Sequence, residues 1–163
     1  RNKPAERSRL IAAGTEFPRD DEQWVLTQLA DFWRKSSEMM HSAAKAHNIK
    51  YYHFLQPNQY VDNSKPMGKE ERAVALMEGS AKTHPYAAPA RKGYPYLISQ
   101  GQALQQSGVA FRDLTMMFKD NEEILYRDAC CHLTTRGYDY VIDEIVESIK
   151  ASGSTAAGEQ AGK

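Results

Sequence analysis

"IKYYHFLQPN", residues 49–58, decides the fold. Ile49 to Leu55 is an apolar and aromatic run too short for a free-standing helix, and Pro57-Asn58 closes it. It reads as a buried strand running into a loop. On its N-terminal side, Val25, Leu29, Phe32, Trp33, Met40, Ala43 and Ala44 recur at helical spacing. That pattern predicts an amphipathic helix from about 21 to 47, opened by Asp20-Asp21 and ended by His47-Asn48. On its C-terminal side, Lys65-Pro66 and Gly68 punctuate a loop. A helix is expected from Lys69 to about Lys82, with Ala73, Leu76, Met77 and Ser80 inward and "KEER", 69–72, as its solvated first turn.

The prolines of "THPYAAPARKGYP", 83–95, predict a long loop. "YLISQGQALQQSG", 96–108, predicts a helix stopped by Gly108. "VAFRDLT", 109–115, reads as a second strand, and 121–126 as a short helical turn. Thr134 or Thr135 then caps a last helix carrying Val141, Ile142, Ile145 and Ile149 on one face. Residues 1–19 are polar and irregular, and 151–163 have the composition of a disordered tail. One domain is expected over 1–150.

Strands separated by helices imply parallel pairing and right-handed crossovers, hence an α/β sandwich with a parallel sheet. Two strands make an unusually small parallel sheet, since such sheets are normally covered on both faces. The chain therefore reads as part of a domain.

Composition excludes several functions. There are 21 basic and 21 acidic residues, so no net field attracts nucleic acid or an anionic membrane. No apolar run approaches the length of a membrane span. Two adjacent cysteines make no disulfide framework.

"DACCHLTTRG", 128–137, carries the candidate chemistry. In an open α/β sheet, ligands bind beyond the carboxyl ends of the strands. A histidine there can accept a serine proton while a carboxylate holds its tautomer. Asp128 and His132 have compatible spacing; a loop carboxylate with a capping or core histidine is the plain alternative. Cys130, Cys131 and His132 are a poor zinc set, because adjacent cysteines diverge and no second Cys/His cluster exists. Neither a metal nor a cofactor is expected. Gln56, Asn58 and Tyr60 follow the first strand and could contact substrate or only form the turn.

"YRDACCHLTTRGYDYVIDEI", 126–145, resembles the last block of the SGNH (GDSL-type) esterase and lipase family. There an Asp–His pair precedes a polar residue, a glycine and a helix. "FLQPNQYV", 54–61, followed by "SKPMGKEERAVA", 64–75, is similar to the middle of one branch of that family. "GVAFRDLTMMF", 108–118, is similar to the strand before its catalytic loop. The resemblance covers 49–150 and implies a three-layer α/β/α sandwich, flavodoxin-like, of which this is the C-terminal half. It implies ester hydrolysis, with His132 as base and Asp128 orienting it. The family's G-D-S serine and its oxyanion-hole glycine and asparagine have no counterpart here; the resemblance places them before Arg1. Gly79-Ser80 and Asn63-Ser64 do not resemble the nucleophile block. The implied partner is an N-terminal half as a second chain, and the implied substrate a small ester or an acylated carbohydrate or lipid. A non-catalytic interaction module and an acyltransferase are the rival readings.

Overall fold

The computed structural model describes residues 21–158. Their element order is α1 (Glu22–Ala46), β1 (Tyr52–Leu55), α2 (Lys69–Ala75), α3 (Ala87–Gln106), β2 (Ala110–Asp113) and α4 (Thr135–Gly158). The strands pair in parallel, with Tyr52 opposite Ala110 and Leu55 opposite Asp113. The class is mixed α/β: among the described residues there are four helices and one two-stranded parallel sheet.

Local chemistry sets the bounds of α1. The Asp21 carboxylate accepts the N–H groups of Gln23 (2.9 Å) and Trp24 (3.4 Å). At the other end Asn48 has φ +55°, and Ile49 N–H returns to the Ala44 carbonyl at 2.9 Å. An asparagine tolerates this left-handed residue better than most side chains. The helix predicted for 21–47 is thus present almost to the residue.

The second predicted helix stops early. α2 ends at Ala75, and Met77 and Gly79 take φ +56° and +84°. The Arg72 guanidinium forks onto the Glu78 carboxylate at 2.6 and 2.7 Å across this turn. Ala75 is buried, while Ala73 and Ser80, expected to face inward, are exposed. The expected loop 83–95 is also corrected, because α3 begins at Ala87 and runs through Pro95. Pro89 falls in the first turn, where backbone N–H groups have no helical acceptor in any case. Pro95 costs about 3 kcal/mol in a helix interior. Burial of Tyr94 and Leu104 on the same helix offsets it. Gly108, at φ +89°, ends the element as expected.

One apolar cluster joins Leu55, Tyr94, Leu104, Val109 and Phe111, with Trp33 of α1 packed against it. On this side α3 covers the sheet and α1 packs on α3. Gly101 permits the close approach: a Cβ there would collide with the Phe111 ring. On the other face, Tyr52, Phe54 and Ala110 line a groove of about 280 Å³ shared with Ser148 and Ala151 of α4. Only one face of the sheet is tightly covered among the described residues. The helical backbone of α4 reaches Gly158, inside the stretch expected to be a tail. Residues 1–20 and 159–163 lie outside the described residues.

A second cluster, of Ala75, Phe118, Leu125, Tyr126 and Leu133, is organised by a buried charge. Glu71 Oε1 accepts the N–H groups of Leu125 (2.8 Å) and Tyr126 (2.9 Å). Lys65 Nζ lies 2.8 Å from Glu71 Oε2 and donates to the Asn121 carbonyl at 2.8 Å. The contact with Oε2 is ionic rather than an aligned hydrogen bond. The side chains are 0% and 1% exposed. "KEER" is therefore not simply a solvated turn, and 121–126 is not helical. Glu71 binds the N–H groups that a helix would have used.

Removing one partner of a buried pair strands the other charge without water. Lys65→Met is expected to lower stability by about 3–5 kcal/mol in urea denaturation. Lys92→Ala, which breaks an exposed pair with Glu22, is expected to cost under about 1 kcal/mol. Equal losses would show that the buried pair does not organise this cluster.

Candidate functional site at the carboxyl end of the sheet

The stretch after Tyr126 forms a short hairpin. Tyr126 and Leu133 make an antiparallel bridge, and Arg127 N–H donates to the His132 carbonyl at 3.0 Å. Thr134 then starts α4: its Oγ1 accepts Gly137 N–H at 3.2 Å. Asp128 and His132 thus face each other at the tip of a loop whose two ends are pinned.

Asp128 uses both oxygens. Oδ1 accepts the backbone N–H of Cys130 (2.8 Å) and of His132 (3.3 Å). Oδ2 lies 2.7 Å from His132 Nδ1. A carboxylate only accepts, so in the neutral ring the proton sits on Nδ1 and Nε2 carries the lone pair. Nε2 has no hydrogen-bond partner among the described residues. The His132 side chain is 51% exposed and that of Asp128 38%. Partial burial disfavours the Asp128 charge, but hydrogen bonds from Cys130 and His132 outweigh it and hold the carboxyl below its usual range.

The sheet meets this loop through the residues after β1. Gln56 is exposed, and its Nε2 lies 3.9 Å from Cys131 Sγ. Asn58 and Tyr60 are buried: Asn58 Oδ1 accepts Tyr60 N–H at 2.9 Å, and Tyr60 Oη donates to the Ala129 carbonyl at 2.7 Å. Of the three residues proposed to contact substrate, Gln56 alone is open to solvent; the other two hold the loop. The Tyr94 hydroxyl faces Asn58 and Gln56, and burial pushes it up. Gln59, passed over in the sequence, donates from Nε2 to the carbonyls of Ala75 (3.3 Å) and Asp128 (3.2 Å). Its only sequence signal was its place between Asn58 and Tyr60.

Both cysteines are free thiols and half-buried. Cys131 takes φ +67°, a strained value for a side chain with a Cβ. Burial pushes its thiol up, with Cys130 and Asp128 adding to the effect. That is the reverse of an activated nucleophile. Among the described residues, no group of three or more His, Cys, Asp or Glu could hold a metal ion.

A serine–histidine contact lies elsewhere. Ser37 Oγ is 2.7 Å from His53 Nδ1 and 3.2 Å from the Tyr51 hydroxyl. Ser37 is 0% exposed, no substrate can reach it, and Trp33 and Phe111 pack on the His53 ring. Burial lowers the His53 pKa. This contact is part of the core. Ser64 and Ser80 are no better placed: Ser64 is buried and donates to the Asn58 carbonyl at 3.1 Å, and Ser80 lies in the exposed turn after α2.

No family model, curated protein or solved structure matches the chain. The site's geometry therefore carries the functional argument.

The lowered Asp128 pKa has a definite sign. A carboxyl whose folded pKa is depressed contributes stability above its unfolded value, about 4, and loses it as pH falls through the folded value. Wild type is expected to melt above Asp128→Asn at neutral pH, and the gap should close below about pH 4. A gap that persists unchanged into strong acid would show that the Asp128 charge is not what holds the loop.

Proposed function

We propose that the chain is the base-bearing portion of a serine ester hydrolase of SGNH type, an α/β/α sandwich completed by polypeptide other than residues 1–163. The observation that carries this reading is the 2.7 Å contact between Asp128 Oδ2 and His132 Nδ1, which leaves Nε2 open beyond the carboxyl end of the sheet. A serine from the other portion attacks the ester carbonyl while Nε2 takes its proton. His132 passes that proton to the leaving alcohol as the tetrahedral intermediate collapses. Water then attacks the acyl-serine with His132 again as base, releasing acid and serine. Asp128 stabilises the imidazolium in both halves. Donors on the other portion hold the oxyanion. Small esters and acylated carbohydrates or lipids suit the reaction.

Two features support a partner. Leu114 N–H donates to the Leu55 carbonyl, so Leu55 and His53 turn toward β2. By alternation, the N–H and C=O groups of Tyr52 and Phe54 point to the outer edge of β1, where no partner exists among the described residues. On the outer edge of β2, Gln105 Nε2 already occupies the Phe111 carbonyl at 2.9 Å. The β1 edge is thus the one that accepts a strand. Second, Tyr138, Ile142, Val146 and Ile149 of α4 are 40–54% exposed in a stripe. Ile142 and Ile149 were expected to face a core.

Native mass spectrometry of the purified particle, followed by turnover of p-nitrophenyl acetate, tests the proposal. The expected result is a second polypeptide and an activity that His132→Ala reduces by about 10³-fold or more without unfolding. A folded chain that travels alone and turns over no ester would make it an interaction module. Product analysis with an added alcohol separates a hydrolase from an acyltransferase.

A further inference from the structure

We infer that Gln59 and Tyr60 are positioning residues that fix the Asp128–His132 pair against the end of β1. The inference rests on the reading of that pair as the reactive one. The hairpin base pins Arg127 and Leu133, and Asp128 organises the tip internally, but neither sets where the tip stands relative to the sheet. Beside the exposed Gln56, whose Nε2 lies 3.9 Å from Cys131 Sγ, two buried side chains do so. Tyr60 Oη donates to the Ala129 carbonyl at 2.7 Å, and Gln59 Nε2 donates to the Asp128 carbonyl at 3.2 Å. Both residues are 4% exposed.

Gln59 spends its second hydrogen on the Ala75 carbonyl, at 3.3 Å. One amide therefore spans the end of α2 and the loop. Its Oε1 is buried without a partner. The amide cannot turn over, because that would set an oxygen against two carbonyl oxygens. Tyr60 is fixed in turn. Its N–H is held by Asn58 Oδ1, and Ser64 Oγ donates to the Asn58 carbonyl at 3.1 Å. Pro57 and these side-chain bonds make the segment after β1 stiff, and the two donors transmit that stiffness to residues 128 and 129. Neither side chain hydrogen-bonds to His132. Each acts through the backbone of Asp128 and its neighbour, so that Nε2 faces the space beyond β1 in one direction.

The test is ¹⁵N-histidine NMR of the full chain in its neutral-imidazole form, reading the tautomer of His132 and the exchange of its Nδ1 proton with water. Wild type is expected to show the Nδ1–H tautomer with a slowly exchanging proton. In Tyr60→Phe and in Gln59→Met, each lacking one donor, that exchange is expected to speed up about threefold to tenfold, the range set by one net hydrogen bond. The other histidines should keep their signals. Wild-type His132 signals in a folded variant of either kind would overturn the assignment of that residue. Asp128→Asn is the separate control, and it should abolish the Nδ1–H signature. If it does not, the pair itself fails, whatever Gln59 and Tyr60 do.

Discussion

The base of the hairpin that carries Asp128 and His132 hangs from the Glu71 carboxylate. One of its oxygens fixes the N–H groups of Leu125 and Tyr126, and the other faces Lys65. Tyr126 is the first rung of the hairpin that ends at Leu133. Asp128 and His132 are the tip of that hairpin. A charged group this deep is costly to bury unless its partners satisfy it. Here they are two backbone N–H groups and one ammonium, and the ammonium also holds the Asn121 carbonyl. The arrangement fixes an irregular stretch that has neither helix nor sheet ladder to hold it. A hydrophobic replacement could fill the volume but could not satisfy those N–H groups.

The loop itself uses a different device. At the exposure of Asp128 and His132 even a fully charged pair would contribute only about 0–1 kcal/mol, so attraction alone does not hold this geometry. The hydrogen bonds from Cys130 and His132 N–H do more, because they make the carboxylate part of the backbone turn. Cys131, at φ +67°, is where the turn is strained. The strain and the Asp128 bonds are two sides of one constraint: a left-handed residue is kept because the bonds around it are satisfied only that way.

What the sequence disclosed follows from how local the cause is. α1 was legible because Asp21 and Asn48 sit at its ends. The strands and their parallel pairing were legible from short apolar runs between helices. The start of α3 was hidden because prolines read as breaks, although Pro89 costs little in a first turn and Pro95 is offset by burial. The burial of Glu71 was hidden because a charge carries no mark of its partner, and its acceptor role spans more than fifty residues. The spacing of Asp128 and His132 gave that pair away. Gln59 and Tyr60 grip carbonyls 69 residues further on, and no periodicity encodes a bond to a distant backbone.

The same geometry explains why the pair is formed yet wet. A histidine base gains strength as a catalyst when water is excluded and its charged form is met by fixed dipoles. His132 is half-exposed, the outer edge of β1 has no strand, and the stripe on α4 has no cover among the described residues. These three deficits differ in chemistry: a polar tip, a row of backbone donors and acceptors, and an apolar stripe. A polypeptide that added a parallel strand beside Tyr52 and Phe54 and laid apolar side chains on α4 would remove the last two. It would bring its own side chains to the carboxyl end of the enlarged sheet, where Nε2 is open. The internal bonds of Asp128 then have a purpose beyond stability. On the proposed reading, they would hold His132 in the Nδ1–H tautomer before any cover arrives, and association would then exclude water and supply the nucleophile.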